Sequence, residues 1–481
     1  MTFIFSCPYQ TLPANCRILI HFVHLSTCPS PPSSGLLGLL GLLGLLGLLG
    51  HSGLNLGSSS VPGNSKYPSQ APPSWGVFSR RLPAMASTKL DQVWVQTSPS
   101  RTARSLSCSG ALFPLPLPPP QVLAMPPSLY CVIREGNKAD KFPLKSLWEF
   151  RIAGIREVVG YLRDSVHRDM AWDGTNFVVD VENRAIVLHP EVRRDEQPAD
   201  ACRRAFSDLC LKNRGKFNNC FDKWLSKPAE RREFHPIHVT EAAWQDLSIP
   251  LPARGIFGII TVGVHLNMYS VREVDGRELV DRIWVSHRAR GENVCYSGMI
   301  DQVVAGGMDP TDRVDDLLAP GVTLKREAEE EAGLLLDLDT KNMTSSYCCG
   351  QKKVIGIVED APAIAFYDCK GREAGRGNEG HLEPGVRFVY DVKLEDPTFQ
   401  PRSHERGIEK FESLTVDEVK RWLRERRWKP NCGLVMLDFL VRKNLITEAD
   451  EERFGDIAAE LRRSLPFKFA QEGFPFLAPW E

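Results

Sequence analysis

Nine residues, Arg326-Glu327-Ala328-Glu329-Glu330-Glu331-Ala332-Gly333-Leu334, constrain this chain more than any other stretch. On a helix, Glu327, Glu330 and Glu331 fall at i, i+3 and i+4, so three carboxylates share one face. Charges that close repel unless a cation sits among them. Mg²⁺ is the natural guest, because it takes hard oxygen ligands and bridges carboxylates to phosphates. Gly333 ends such a helix by adopting positive φ. A solvated acidic surface helix has the same composition, so the preceding residues matter. Val303-Val304-Ala305-Gly306-Gly307 reads as a short apolar strand entering a Gly turn.

Strand, Gly-Gly turn, loop and acidic helix together resemble the Nudix box: a glycine, a loop, then Arg-Glu-apolar-any-Glu-Glu-any-Gly-apolar. Arg326, Glu327, Ala328, Glu330, Glu331, Gly333 and Leu334 match it. The resemblance implies an α/β fold, the Nudix α/β/α sandwich. It also implies a divalent-metal hydrolase, using Mg²⁺ or alternatively Mn²⁺, that cleaves a diphosphate linked to another moiety. The front of the box departs from the pattern. Gly307 lies 19 positions before Arg326, where the family usually has fourteen. The family's Glu, eight positions before the Arg, falls on Leu318. Asp315 or Asp316 is expected to substitute if the loop folds back. Pro320-Gly321 is expected to break any helix before Val322.

The resemblance extends over about residues 128–450. It is similar to a Nudix subfamily of fungi and plants, related to thiamine pyrophosphokinase-like sequences, with an N-terminal domain of uncertain role. Gly263-Val264-His265-Leu266-Asn267, Tyr296 to Gln302, Ala305-Gly306-Gly307, Trp428-Lys429-Pro430-Asn431-Cys432 and Asp438 to Arg442 carry it, in the family's order. It implies hydrolysis of thiamine diphosphate, chiefly its oxidised analogues, to the monophosphate. Two departures stand out: a Glu of the subfamily falls on Gly407, with Glu409 or Glu405 to replace it, and Ser297 stands where Pro is usual.

The expected metal ligands are Glu327, Glu330 and Glu331. The expected catalytic groups are Glu330, Glu331, Glu409 and Arg326, with the water held either by a helix Glu or by Glu409, and Arg326 orienting a helix carboxylate. Arg288 and Lys429 are candidate diphosphate contacts. Trp284, Tyr296 and Trp428 are candidate ring-stacking residues, and His265 reads as a core histidine. Two rivals remain open. One is a Nudix hydrolase for a nucleoside diphosphate derivative such as ADP-ribose or NADH. The other is an inactive Nudix module that binds a ligand.

Fifty-nine Lys and Arg against 60 Asp and Glu leave no global field to recruit nucleic acid or membrane, so the expected partner is a small-molecule diphosphate. Thirteen cysteines without CxxC pairs suggest free thiols in a reducing, cytoplasmic compartment. Residues 1–124 hold one acid, Asp91, and seven Lys or Arg, with Pro, Ser and a Gly-Leu-Leu repeat from Gly35 to Gly50. They read as a disordered low-complexity leader; organellar targeting by it is the alternative. Met85 and Met125 are alternative starts. No uninterrupted apolar stretch reaches membrane-spanning length.

The strand and helix spacings divide the remainder into a small α+β domain, 128–245, and a Nudix domain, 246–481. Phe150 to Leu162 reads as a hairpin or a strand leading into a helix. Phe177–Val181 and Ala185–Leu188 read as strands, and Ala199–Arg214 as a helix. In the second domain, Val262–Val271 and Ile283–Ser286 are strands around an Asp275-Gly276 turn, and Arg387–Val392 is another. Val416–Arg426, Cys432–Arg442 and Leu445–Leu461 read as helices.

Overall fold

The computed structural model describes residues 127–292, 294–345 and 353–480. The leader, its repeat, Met85, Met125 and the Cys348-Cys349 pair lie outside the described residues.

Helix α1 (Tyr130–Gly136) precedes a four-stranded sheet of β1 (Trp148–Ile152), β2 (Gly160–Leu162), β3 (Phe177–Asp180) and β4 (Ala185–Leu188), in the order β2-β1-β4-β3. The pair β1–β2 is antiparallel, so Phe150 to Leu162 is a hairpin. Helices α2 (Asp164–Asp169), α3 (Pro198–Lys212) and α4 (Asp222–Leu225) surround this sheet. The rings of Phe150, Phe177, Phe206 and Phe257 interlock with centroids 4.8 to 6.3 Å apart. Each such buried ring contributes roughly 1.5–3 kcal/mol. A short hairpin, β5 (Phe234–Pro236) with β6 (Ser248–Pro250), follows.

The larger sheet is mixed. It contains β7 (Thr261–Val274), β8 (Arg277–Arg288), β9 (Ile300–Asp301) and β10 (Val304–Gly307). A small hairpin, β11 (Arg313–Val314) with β12 (Leu317–Leu318), leads into helix α5 (Pro320–Ala332). Then come β13 (Leu334–Leu336), β14 (Asn342–Ser345), β15 (Val354–Cys369), β16 (Leu382–Lys393) and β17 (Ile408–Leu414). The order is β13-β14-β15-β16-β7-β8-β17, with β10 on β7 and β9 on β8. Asp275 and Gly276, both at positive φ, turn β7 into β8 as their dipeptide requires.

Alternation along β7 and β8 builds two layers. Val264, Leu266 and Met268 pack with Leu324, Ala328 and Ala332 of α5. Tyr269, Ile283 and Val285 pack on the other face. There they meet α6 (Val416–Arg424), α7 (Pro430–Arg442), α8 (Phe454–Glu460) and α1. The result is a mixed α/β sandwich with α5 on the face that matters below. Gly136 of α1 approaches Leu434 so closely that an added Cβ would lie 2.3 Å from its Cδ1. Helix α9 (Lys468–Gln471) closes the described chain.

Two local expectations differ from the structure. Pro320 does not exclude itself and Gly321 from the helix; it is the first residue of α5, where its missing N–H breaks no hydrogen bond. Leu445–Leu461 is helical only from Phe454 to Glu460. Asp450 accepts both the Thr447 N–H at 3.0 Å and its hydroxyl at 2.9 Å, a local turn that competes with helix.

The segment Asp438 to Arg442 is structural. Arg442 reaches Asp438 at 2.6 Å and Asp391 of β16 at 2.7 Å, while Arg462 meets Asp438 at 2.5 Å. Both carboxylates are buried, and the network ties α7 to the sheet and to the C-terminal tail. Among the described residues, no helix is long and apolar enough to cross a membrane.

Candidate active site

Strand β10 runs antiparallel to β7, pairing Gly307 with Gly263 and Val304 with Leu266. It holds two of the helix carboxylates. The Ala305 N–H donates to Glu331 at 2.8 Å. Gly306 lies against Glu327: an added Cβ would sit 2.0 Å from its carboxyl carbon, so only glycine lets that carboxylate reach the strand. Gly333 caps α5 at φ 60°, as its place after the acidic run suggested.

The extra residues of the loop form the β11–β12 hairpin. Asp315 and Asp316 are its exposed tip, at φ 46° and 66°, and do not fold back. The residue that does reach the helix is Asp312, which the sequence reading missed. Arg326 donates Nε and Nη2 to its two oxygens, both at 2.9 Å, in a bidentate fork. The Thr323 hydroxyl adds a third bond at 2.9 Å, and the Asp309 N–H a fourth at 2.8 Å. Asp312 lies fourteen positions before Arg326; without the six residues 313–318 of the hairpin, the spacing would be eight.

With Nε and Nη2 fixed on Asp312, Arg326 turns Nη1 to Glu327 at 2.9 Å and Glu330 at 3.2 Å. Burial pushes the Glu327 carboxyl up despite that guanidinium. Burial, with Glu327 close by, pushes Glu331 up to about 8. Glu330 stays exposed. Among the described residues, no group of three His, Cys, Asp or Glu stands in metal-ligating geometry. The donors nevertheless fit a hard divalent cation. Of the three carboxylates, Arg326 meets Glu327 and Glu330 and leaves Glu331 without a cation, and the two less exposed ones, Glu327 and Glu331, are short of positive charge.

The loop before β17 passes over the end of α5, where the His404 N–H bonds the Glu331 carbonyl. Glu405 is the loop carboxylate whose charge acts on Glu331. Glu409 points elsewhere and pairs with exposed Arg290 at 3.2 Å.

A cavity of about 1480 Å³ opens from Ala305, Gly306 and Gly307 toward the β5–β6 segment. Nine Lys and Arg line it against four Glu, so it suits an anionic ligand. Arg288 and Lys429 both line it and share buried Asp301, at 2.8 and 3.7 Å. Although burial works to raise it, Lys429 and Arg288 hold Asp301 below its usual range. Tyr296 lines the cavity, as does Trp224, which the sequence reading did not nominate. Trp428 lines a separate cavity of about 200 Å³, and Trp284 packs in the core. His265 is buried, bonded through Nδ1 to Gln302 at 2.8 Å, and driven down to about 3 by burial. Lys370, Glu383, Arg387 and Arg254 also line the cavity and were missed. Glu383 and Arg387 left a signal, two charged residues among the buried apolar ones of a single strand, β16.

Fold and site define an α/β sandwich that presents a carboxylate helix at the mouth of a cationic cavity. Three relatives are similar to part of this chain. An uncharacterized protein of Saccharomyces cerevisiae is 28% identical over 214 residues, 44% of this chain and 56% of the relative. Two Arabidopsis thaliana proteins are named Nudix hydrolase 20, chloroplastic, and Nudix hydrolase 24, chloroplastic. They are 28% and 27% identical over 220 residues, 46% of this chain and 49% and 50% of their own. The chain thus spans about half the length of the curated relatives it matches. No family model matches. A NUDIX hydrolase structure from Nitrosomonas europaea aligns at 16% identity and TM-score 0.20, covering 39% of this chain and 98% of that one. The relatives' names, with the box residues, support the Nudix hydrolase family for this chain.

Proposed function

We propose that the protein hydrolyses a diphosphate linkage with the help of Mg²⁺, and that its substrate is thiamine diphosphate or an oxidised analogue, released as the monophosphate. The observation that carries the reaction class is the juxtaposition of the α5 carboxylates with a cavity whose charged lining is mainly cationic. Glu327, Glu330 and Glu331 would hold the metal, which supplies neutralisation of the phosphate oxygens. Arg326, clamped by Asp312, positions Glu327 and Glu330. Arg288 and Lys429 meet the diphosphate from the cavity wall, and desolvation strengthens their pull on it. Glu405, at the end of α5, positions the attacking water together with Glu331. The thiamine part rests on the sequence resemblance; the faces of Tyr296 and Trp224 suit an aromatic ring.

A second reading is a module that binds a diphosphate without cleaving it. The bridge from Arg326 Nη1 to Glu327 and Glu330 favours it, because a guanidinium already lies between two of the three carboxylates. Product formation from a panel of thiamine diphosphates and nucleoside diphosphate derivatives, with and without Mg²⁺, separates the readings; the product is phosphate from the former and a pair of phosphomonoesters, resolved by chromatography, from the latter. Mg²⁺-dependent cleavage that prefers the thiamine compounds supports the first. Cleavage only of nucleoside derivatives removes the thiamine assignment, and no cleavage of any compound leaves the binding module.

A further inference from the structure

Deep in the cavity one carboxylate, Glu383, faces three cations. Lys370 Nζ is 3.3 Å from Glu383 Oε1, Arg254 Nη2 3.9 Å and Arg387 Nη2 4.0 Å. Glu383 and Arg387 are buried, so the surplus positive charge is poorly screened. The contacts are loose. In the structural network of Asp391 and Asp438 the arginines sit 2.5 to 2.7 Å from their carboxylates and Lys443 3.3 Å. Arg387 is held through Nη1 by the Thr261 and Val386 carbonyls, and with Lys370 and Arg254 it sets three positive charges against one carboxylate in the cavity wall. Burial lowers Lys370 and Arg387 from their ordinary values. Glu383, which burial alone would raise, is instead pulled down to about 2 by its three neighbours.

A second observation points the same way. His235 Nε2 is buried with no hydrogen-bond partner, and the ring lines the same cavity. The charges of Arg254 and Arg387 both act on it. The cluster also adjoins the box. Arg387 pairs across the sheet with Gly263, which in turn pairs with Gly307. The Arg387 Cδ lies 3.5 Å from where a Gly263 Cβ would stand. Arg254 and His235, by contrast, come from the β5–β6 segment and the turn after it, ahead of the large sheet.

We infer that Arg254, Lys370 and Arg387 form a second anion subsite, which takes a phosphoryl group of the substrate and which the chain ahead of β7 helps to build. The subsite rests on the diphosphate reading above, but its test does not require turnover. Inorganic pyrophosphate and inorganic phosphate are titrated calorimetrically into the full chain in the presence of a chelator, with a thermal melt to verify that each variant is folded. Pyrophosphate binds the wild type. Lys370→Gln and Arg254→Gln each weaken it by about tenfold, the scale of one charge-assisted hydrogen bond. Glu383→Gln, which removes the competing anion, tightens it. Phosphate binds more weakly and follows the same order of variants, because the subsite holds one phosphoryl group. The Glu330→Gln, Glu331→Gln double variant binds at least as tightly as the wild type, so a dead box does not mimic a missing subsite. Failure of the folded wild type to bind pyrophosphate, or a Glu383→Gln variant that binds it less tightly, overturns the inference.

Discussion

On helix α5 three glutamates stand near one arginine, which contacts only two of them; in the cavity beside it three cations share one glutamate. The first group is short of positive charge, and burial drives Glu331 up to about 8. The second is short of negative charge, and Glu383 is held at about 2. Either group alone would be a costly way to build a protein interior. Side by side they are complementary to one kind of ligand, an anion carrying its own divalent cation. A third ion cluster, Asp391 and Asp438 with Arg442 and Arg462, shows what a purely structural arrangement looks like in the same molecule: short contacts and buried, multiply bonded carboxylates.

The comparison is broken most severely by removing charge from the acidic side. Glu330→Gln with Glu331→Gln should lower Mg²⁺-dependent turnover by about 10²-fold or more. The amide oxygen at position 331 can still accept the Ala305 N–H, so the melting temperature should hold. Unfolding of the double variant, or an unchanged rate at saturating Mg²⁺, would count against the assignment. Asp312→Ala should come next. It strands the Thr323 hydroxyl and unclamps Arg326, at a cost of about 3 kcal/mol in urea unfolding. A loss under about 0.5 kcal/mol, the range of a surface substitution, would show that the fork is ornamental.

Behind the cationic side, burial raises Asp368 to about 7 in spite of Lys138 at 3.6 Å. Its folded-state value lies above the ordinary carboxylate value, so the folded protein binds the extra proton. Stability from this group is therefore greatest below about pH 4 and falls as pH rises toward 7. Asp368→Asn should flatten that fall and stabilise the protein at pH 8 by about 2 kcal/mol. A variant less stable than wild type at pH 8 would mean the Lys138 pair dominates. The smallest contrast is within one loop. Glu405→Ala should slow turnover about tenfold, below the scale of a proton-transferring base, because it positions the water only together with Glu331. Glu409→Ala removes only a surface pair with Arg290, worth about 0.5 kcal/mol, and should leave the rate nearly unchanged. Reversal of that order would return the water to Glu409.

The box helix was legible because its signals are local. Carboxylates at helical spacing, a glycine stop and an apolar strand before it all act within about thirty residues. The sandwich was legible for a similar reason, since alternation along β7, β8 and β16 marks two buried faces. What escaped depended on register and long-range contact. Asp312 becomes the partner of Arg326 only once residues 313–318 are known to pair with each other. Glu409 was expected to replace the side chain lacking at Gly407 because residues two apart on a strand share a face. The pairing of β17 with β8 shifts register between Ile408 and Lys410, and that irregularity breaks the rule. The cationic cluster draws Arg254, Lys370, Glu383 and Arg387 from separate stretches of chain, and no spacing in the sequence announces it.

The central claim is that the carboxylate helix and the cationic cavity are two halves of one diphosphate-cleaving site. The most direct measurement is phosphate release from thiamine diphosphate and its oxidised analogues by the full chain, over a Mg²⁺ titration, for the wild type, the Glu330→Gln, Glu331→Gln variant and Lys370→Gln. The account predicts release that requires Mg²⁺, collapses in kcat when the helix is neutralised, and shows a raised KM when Lys370 is lost. Wild-type protein that binds pyrophosphate but cleaves no diphosphate, with products read as phosphate or as phosphomonoester, at any Mg²⁺ concentration would contradict it.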